Sequence, residues 1–224
     1  MAMPETVGHH QRAAETKRRR TRAALLDAAG QVFAERGWHD TRMEDIAERS
    51  GLSLATTYTY FKNKRTIMGH TYHPYFVELD DKLTTDLVNL PAVRVLEQLV
   101  YDLSDLVRQK PTLTVAMLMA AREETVRNET PTPDEPGVRQ LVALTDLMVA
   151  CLQRAQDNGE IPATLSVRDI GSYHTNALLL RVFIDPDETA ESTAELVLSQ
   201  IRPVLGVTAT DVREDGLQTT SSQG

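Results

Sequence analysis

The chain has 224 residues, of which 41% are hydrophobic, and a formal net charge of -8 at pH 7. No run approaches the ~20 apolar residues of a membrane span, so no membrane partner is expected. The single cysteine, Cys151, excludes an intramolecular disulfide, and the polar first 20 residues contain no signal-peptide core. We therefore expect a cytoplasmic protein with a packed core.

The charge is unevenly distributed along the chain. Residues 1–65 carry 12 Lys and Arg against 8 Asp and Glu, a difference of +4. Residues 66–224 carry the other 12 Lys and Arg against 24 Asp and Glu, a difference of -12. A basic segment attached to an acidic body can bind phosphate at one end and repel it elsewhere. Solvated surfaces also vary in charge, so charge alone leaves DNA binding open.

The first elements are an arm and a helix. Residues 1–17 are predicted to be a disordered arm with a basic end, and a helix is predicted from about Arg18 to Arg36. Apolar side chains recur on one face of that helix until Gly37 ends it. A basic group at the helix start could follow the DNA minor groove or backbone, or form a solvated tail: Arg18, Arg19, Arg20 and Arg22.

Residues 41–64 predict two short helices joined by a tight turn. Thr41 and Glu44 have the spacing of a capping box, in which each side chain bonds the other residue's amide. Gly51 tolerates the left-handed conformation that ends a helix, and the Ser53 hydroxyl can cap the next one. Two such helices with a glycine in the turn match a DNA-reading helix-turn-helix.

The rest of the chain predicts only helices. A fourth helix is capped by Asn63, with Pro74 as a kink. Later helices are predicted over residues 91–109, 112–124, 138–157, 167–184 and 187–205. Residues 207–224 are polar and are expected to form a disordered tail.

The motifs between residues 33 and 64 together resemble the N-terminus of TetR-type repressors. These motifs are F-A-E-R-G-W (33–38), T-x-x-x-x-I-A (41–47), S-G-L-S (50–53) and Y-x-Y-F-K-N-K (58–64). The resemblance is close over residues 20–70 and otherwise rests on length and helical pattern. It implies an all-α fold, with a three-helix helix-turn-helix DNA-binding domain at residues 18–65. Residues 66–206 would then form a helical ligand-binding and dimerisation domain.

The resemblance also implies, by motif position, which residues contact DNA: Thr41, Arg42, Leu54, Ala55, Thr56, Tyr58, Thr59, Tyr60 and Lys64. Thr56 can donate to or accept from bases, whereas Leu54 and Ala55 offer only apolar contact. Leu54 and Tyr58 are equally compatible with packing inside the domain. Lys64 opens a helix, where a cation is mildly unfavourable, so a phosphate partner would explain it.

In this family the last two helices form the dimer interface, so residues 167–205 are expected to hold a homodimer. The predicted interface residues are Ile170, Tyr173, Ala177, Leu178, Arg181, Val197, Ile201 and Val204. Helices with such broad apolar faces would otherwise expose a larger patch than soluble monomers usually tolerate.

The small-molecule effector is expected to be mainly apolar, and a cation is the narrower hypothesis. Candidate ligand-binding residues are Tyr101, Asp105, Met117, Met148, His174 and Asn176. An aromatic face and a carboxylate near Tyr101 could converge on a cation, and methionines suit an adaptable apolar pocket. Ordinary core packing and solvated acidic residues are the competing explanations.

These features predict a dimeric, ligand-responsive repressor that binds a near-palindromic double-stranded operator, with half-sites ~34–36 Å apart. No cofactor, metal site or catalytic activity is expected, because no catalytic-triad, zinc-ligand or phosphate-loop spacing occurs. We call the predicted DNA-binding domain at residues 18–65 the head. The alternatives are an activator with the same head, and a helical enzyme or small-molecule carrier whose basic head is incidental.

Overall fold

A computed structural model describes residues 5–127, 130–132 and 136–207, except for the side chains of residues 5–10 and Asp86. The secondary structure in these ranges is helical, so the predicted all-α fold is confirmed. The α-helices are α1 (Glu5–Arg36), α2 (Met43–Ser50), α3 (Leu54–Tyr60), α4 (Lys64–Asp81), α5 (Ala92–Gln109), α6 (Pro111–Val126), α7 (Val138–Leu141), α8 (Leu144–Asp157), α9 (Val167–Ile184) and α10 (Ala190–Leu205). A π-helical segment, Lys82–Asp86, follows α4 directly. None of them is long and apolar enough to cross a membrane.

Helix α1 begins much earlier than the sequence pattern predicted. Residues 5–17, expected to be a disordered arm, continue the helix, and residues 1–4 lie outside the described ranges. The physical reason is composition, because residues 9–29 contain neither Gly nor Pro and include many Ala, Arg, Lys, Gln and Glu. Except for Val207, the predicted tail also lies outside the described ranges.

The chain forms two compact units, and each draws on two stretches of sequence. Unit 1 contains residues up to Pro74 together with 112–142, and unit 2 contains residues 75–111 together with those from 143 onward. The predicted boundary after residue 65 therefore differs from the structure, which groups most of α6 and all of α7 with the helix-turn-helix. Side-chain contacts explain this, since the Tyr72 hydroxyl lies 2.9 Å from Thr114 Oγ1 in α6.

Unit 1 has a core in which α1, α2 and the first half of α4 meet. The Phe33 and Trp38 rings stack with their centroids 5.9 Å apart. Several large side chains are fully buried there: Leu25, Phe33, Ile46, Phe61, Ile67, Met68 and Tyr72. Helix α4 runs through Pro74, which lacks the amide that would bond the His70 carbonyl. The first boundary between the units lies immediately after this proline, at Tyr75.

Unit 2 is a bundle of α5, α8, α9 and α10. Its fully buried side chains include Leu96, Leu99, Leu103, Met148, Leu152, Leu178 and Leu198. The Arg108 guanidinium donates to the Glu188 carboxylate at 2.5 Å, and Arg181 donates to the same oxygen at 2.8 Å. This ion cluster ties α5 to α9 and to the turn before α10. The helix predicted over residues 138–157 is interrupted at Val142 and Ala143, which leave the helical conformation.

Candidate functional site

The turn between α2 and α3 has the geometry of a helix-turn-helix. Gly51 adopts the left-handed conformation at φ 68°, and its amide donates to the Glu48 carbonyl at 3.1 Å. The Leu52 amide donates to the Ala47 carbonyl at 3.0 Å, which completes a glycine-type helix end. The Ser53 hydroxyl then accepts the Thr56 amide at 3.1 Å and starts α3, as the sequence predicted. These bonds fix the direction in which α3 leaves the turn.

Helix α3 presents a narrow exposed ridge. Ala55, Tyr58 and Thr59 are exposed. Tyr58 and Thr59 come three and four residues after Ala55, so both lie on the same face of the helix as Ala55. We call these three residues the α3 ridge. Tyr58 leaves 45% of its surface open to solvent, so its predicted alternative role as a core residue is wrong. The ridge offers a methyl, a phenol and a hydroxyl, which are groups that can contact base edges and phosphates.

The other predicted residues of α3 are less accessible. Leu54, Thr56 and Tyr60 are half-buried. The Thr56 hydroxyl lies 2.8 Å from Ser53 Oγ, so part of its hydrogen-bonding capacity is used at the start of the helix. Thr56 therefore takes part in the N-terminal cap of α3 and also stays a candidate for base contact.

Thr41 was predicted to contact DNA, and the structure contradicts this. Its side chain is buried, and its hydroxyl donates to the Gly37 carbonyl at 2.6 Å. The reason is local, because Thr41 satisfies a carbonyl left open at the end of α1. A buried hydroxyl bonded to backbone cannot reach a nucleic acid.

The capping box of α2 is displaced by one residue from its predicted position. The Arg42 amide donates to Asp45 Oδ2 at 2.8 Å, whereas Thr41 and Glu44 take no part in the cap. This backbone bond, and the Arg36 side chain 2.6 Å from Oδ1, lower the pKa of the Asp45 carboxyl. The Arg42 side chain is exposed and stays a candidate for DNA contact.

Lys64 was predicted to bind phosphate, but its ammonium is held inside unit 1. Nζ donates to the Trp38 carbonyl at 2.5 Å and to the Thr41 carbonyl at 3.0 Å. It also lies 4.2 Å from the centroid of the Trp38 ring. Burial lowers the pKa of Lys64, and the carboxylates of Glu123 and Asp40 partly oppose that shift. These contacts explain the lysine at a helix start without DNA, so the argument for a phosphate partner is lost and the contact itself stays a prediction.

The basic group at the start of the predicted first helix separates into different environments. The Arg22 guanidinium lies 5.1 Å from the centre of the Phe61 ring, just after α3, and burial lowers its pKa. Arg18, Arg19 and Arg20 are exposed on α1. Arg12 and Lys17 were not among the predicted DNA-contacting residues and are also exposed on α1; unbroken helical composition across residues 11–20 was the available signal.

The six candidate ligand residues have different environments. Met117 is buried in unit 1 and Met148 in unit 2. Tyr101 donates its hydroxyl to Glu195, a bond that raises the pKa of the phenol. His174 is buried with Nδ1 2.8 Å from the Ile170 carbonyl, whereas Asn176 is exposed.

Asp105 lines a cavity of about 220 Å³ in unit 2. The other lining residues are Tyr75, Glu78, Leu79, Lys82, Asp102, Leu106, Gln109 and Lys110. Lys82 donates to Asp102 at 2.7 Å, and Lys110 lies 5.0 Å from the centre of the Tyr75 ring. Tyr101 is not a lining residue, so the predicted convergence of Tyr101 and Asp105 on a cation is not observed in this cavity.

The predicted dimer interface mixes surface and core residues. Leu178, Val197 and Ile201 are buried within unit 2, so they cannot meet a partner and are removed from the interface. Arg181 is engaged with Glu188, and Ile170 and Ala177 are half-buried. Tyr173 and Val204 are exposed, as an interface requires. The error arose because both faces of α9 are apolar, and periodicity alone does not tell which one faces the core.

A continuous apolar surface on α9 replaces that prediction. Tyr173, Leu180 and Ile184 leave 64%, 49% and 67% of their surface exposed, and Ala177 lies between them. Steps of three and four residues place all four on one face of the helix. We call these four residues the α9 stripe. Phe183, 44% exposed, lies beside it.

The part of the chain that the structure describes contains no group of three or more His, Cys, Asp or Glu side chains arranged to hold a metal ion.

Comparison with known proteins finds similarity in the helix-turn-helix. Residues 25–70 match the family of bacterial regulatory proteins called tetR. The fatty acid metabolism regulator protein of Bacillus subtilis is 32% identical over 63 residues, which are 28% of this chain and 32% of that protein. The HTH-type transcriptional activator FasR of Mycolicibacterium smegmatis is 39% identical over 58 residues, 26% of each chain. The similarity to these curated relatives thus spans at most about a third of their length.

The fold extends the similarity beyond the head. The crystal structure of Thermus thermophilus FadR, a TetR-family transcriptional repressor in complex with lauroyl-CoA, has a TM-score of 0.61 to this chain. The aligned parts cover 80% of this chain and 91% of that one at 20% sequence identity. At this identity the likeness shows a shared all-α fold and leaves the ligand of this chain undetermined.

Proposed function

Because residues 25–70 match the TetR family, we propose that this chain is a dimeric transcriptional repressor whose DNA binding is controlled by a small molecule. The observation that carries the proposal is the α3 ridge, which stands exposed on a helix whose direction is fixed by the Gly51 turn. A helix of this kind places a few side chains against base edges in the major groove. Activation with the same head is the second candidate, favoured by the likeness to FasR.

We propose the α9 stripe as the main homodimer contact. The stripe is apolar and exposed, and contiguous patches of this kind on a soluble protein mark contact surfaces. Two copies joined there would present two heads to a near-palindromic operator in the cytoplasm, with half-sites roughly 34–36 Å apart. No cofactor and no catalytic step enter this function.

The effector proposal is a mainly apolar small molecule bound within the helical body. Its effect requires unequal affinity for the operator-binding and the free arrangement of the dimer. The narrower hypothesis, a cation, is supported by the net charge of -12 over residues 66–224. An acyl-CoA is the competing class, because the structurally similar FadR of Thermus thermophilus binds lauroyl-CoA. Lipophilic cations, neutral aromatics and acyl-CoA thioesters, each titrated against the operator complex, distinguish the three classes.

Selection of binding sites from a random duplex pool with the full chain tests the DNA-binding proposal. We expect an enriched near-palindrome and an affinity that falls steeply with salt. Replacing Tyr58 by Ala should then lower affinity for the selected duplex about 10- to 150-fold, as the loss of a good base contact does.

Replacing Val126 by Ala is the matched control, since Val126 is 72% exposed on α6 of the same unit. It should leave affinity unchanged. Failure to enrich any sequence, together with turnover of a small molecule, would instead support the helical enzyme or carrier.

A further inference from the structure

Residues 11–20 of α1 form a basic helical segment that the contacts within unit 1 leave uncovered. Residues 11–20 carry five Lys and Arg against one Glu, and all their side chains are exposed except half-buried Thr16. Arg22 is excluded from this surface because it stacks on the ring of Phe61. The uncovered basic segment therefore ends at Arg20.

Three of these cations lie within the same half of the helix circumference. Arg12, Lys17 and Arg20 line a common open groove, with Ala13, Thr16 and Thr21 between them. We call Arg12, Lys17 and Arg20 the α1 stripe. Short side chains between long cationic ones leave room for an anionic backbone to approach the helix. The one acidic residue of the segment, Glu15, does not line the groove.

The dimensions of the α1 stripe suit a nucleic-acid strand. Arg12 and Arg20 are eight residues apart, which is about 12 Å along a helix. A strand carries one phosphate per nucleotide, so each of the three cations can meet a different phosphate of the same strand. The helix holds the cations at this spacing, whereas a disordered arm would lose conformational entropy on binding.

An anionic membrane fits the segment less well. A helix that lies on a membrane buries an apolar face beside its basic one. Between residues 11 and 20 the apolar side chains are those of Ala13 and Ala14. The cations therefore have no apolar counterpart that would insert among lipids.

We propose that the α1 stripe binds the sugar-phosphate backbone of duplex DNA, independently of sequence, in addition to the base contacts of α3. This rests on the proposed DNA-binding function and extends it with a second surface. Arg22 joins the two surfaces, since it lies on α1 at the base of the stripe and contacts Phe61 at the end of α3. The stripe supplies affinity and salt dependence, and the α3 ridge supplies the choice of sequence.

The test compares two variants of the full chain with equal loss of charge. The first replaces Arg12, Lys17 and Arg20 by Gln, which keeps helix propensity nearly unchanged. The control replaces three other exposed arginines of unit 1 by Gln: Arg122, Arg127 and Arg139. Affinity is measured against salt concentration for the selected operator and for a mixed-sequence 40-base-pair duplex, and circular dichroism compares helix content.

For the stripe variant we expect the slope of log affinity against log salt to fall by about two to three units per subunit on both duplexes. The selected sequence should not change, and the control should lose less than about one unit. Equal slopes in wild type and stripe variant, or equal losses in both variants, would overturn the proposal while leaving repressor function intact. Binding of the wild type to vesicles of phosphatidylcholine and phosphatidylglycerol in preference to duplex, lost in the stripe variant, would overturn it in favour of a membrane. If the wild type binds neither duplex, the DNA-binding function itself fails.

Discussion

At the scale of single residues, Lys64 shows how a motif residue can serve the fold. Its ammonium joins two carbonyls of the segment between α1 and α2 and lies on the indole of Trp38. Three contacts therefore converge on one charge at the start of α4. The lysine fixes the path of the chain into the helix-turn-helix.

Replacing Lys64 by Ala should lower the free energy of unfolding by about 1–3 kcal/mol, because two part-buried carbonyls lose their donor. Urea unfolding followed by the fluorescence of Trp38, the only tryptophan in the chain, measures this. Lys17→Ala, at an exposed position of α1, should change stability by less than about 0.5 kcal/mol. Unchanged stability in the Lys64 variant, with weaker DNA binding, would support the phosphate contact.

His70 gives unit 1 a dependence on pH. Burial lowers the pKa of its imidazole to about 4 from the usual 6.5, and the charges of Arg22 and His73 add to the shift. Between these two values the unfolded chain binds more protons than the folded one, so stability rises with pH. The contribution of His70 is complete above about pH 6.5 and is lost as pH falls towards 4.

We expect the urea midpoint of the wild type to fall more steeply between pH 6.5 and 4 than that of a His70→Gln variant. The glutamine keeps a polar side chain and removes the titrating group. Parallel pH profiles for the two proteins would show that other groups govern acid unfolding in this window.

At the scale of elements, the Glu123 carboxylate adds a second link between α6 and the DNA-binding domain, beside the contact of Thr114 with Tyr72. The Trp38 indole donates to Glu123 Oε1 at 3.0 Å, and the Arg65 guanidinium lies 3.6 Å from Oε2. Glu123 thus contacts two places in the chain: Trp38 in the segment before α2, and Arg65 in the first turn of α4. A displacement of α6 would break both contacts.

Replacing Glu123 by Leu should shift the emission maximum of Trp38, because the indole N–H loses its hydrogen-bond acceptor. The free energy of unfolding should fall by about 1–3 kcal/mol. Glu123→Gln should keep the wild-type emission, since its amide oxygen can still accept the indole N–H. Identical spectra for the Leu variant and the wild type would mean that the carboxylate does not hold the indole in solution.

Local patterns predicted the elements well because their causes are local. The glycine end of α2, the Ser53 cap and the apolar periods of α5 and α9 depend on residues within a turn or two. The roles of Thr41 and Lys64 depend on which carbonyls happen to lie beside them, and this is set by tertiary packing. Leu178 shows the same limit, since a helix that is apolar on two sides does not reveal which side is buried.

At the scale of the whole molecule, the α9 stripe should decide the oligomeric state. Replacing Leu180 and Ile184 by Glu places two charges on an exposed apolar face, so a dimer held there should dissociate. Sedimentation velocity should show a monomer with wild-type helix content and weaker operator binding, because one head makes half of the contacts.

Val88→Glu with Leu90→Glu is the control pair, since both residues are about half exposed on unit 2 outside α9. That protein should remain dimeric. Leu178→Glu, by contrast, should unfold unit 2, because it places a charge in the core. A dimer that survives the α9 substitutions would exclude the stripe as its main contact.

The interleaving of the two units has a consequence for synthesis on the ribosome. The chain passes from one unit to the other after Pro74, after Pro111 and after Val142, so neither unit is a continuous piece of sequence. After Pro74, the ribosome must add 68 more residues before Val142 completes unit 1. At about 5–20 residues per second, that interval is roughly 3–14 s. For the first part of that time the nascent helix-turn-helix lacks the carboxylate of Glu123 for Trp38, and Tyr72 lacks Thr114. The head is therefore translated first but completed late, and a gene fragment that stops after α4 encodes an unfinished head.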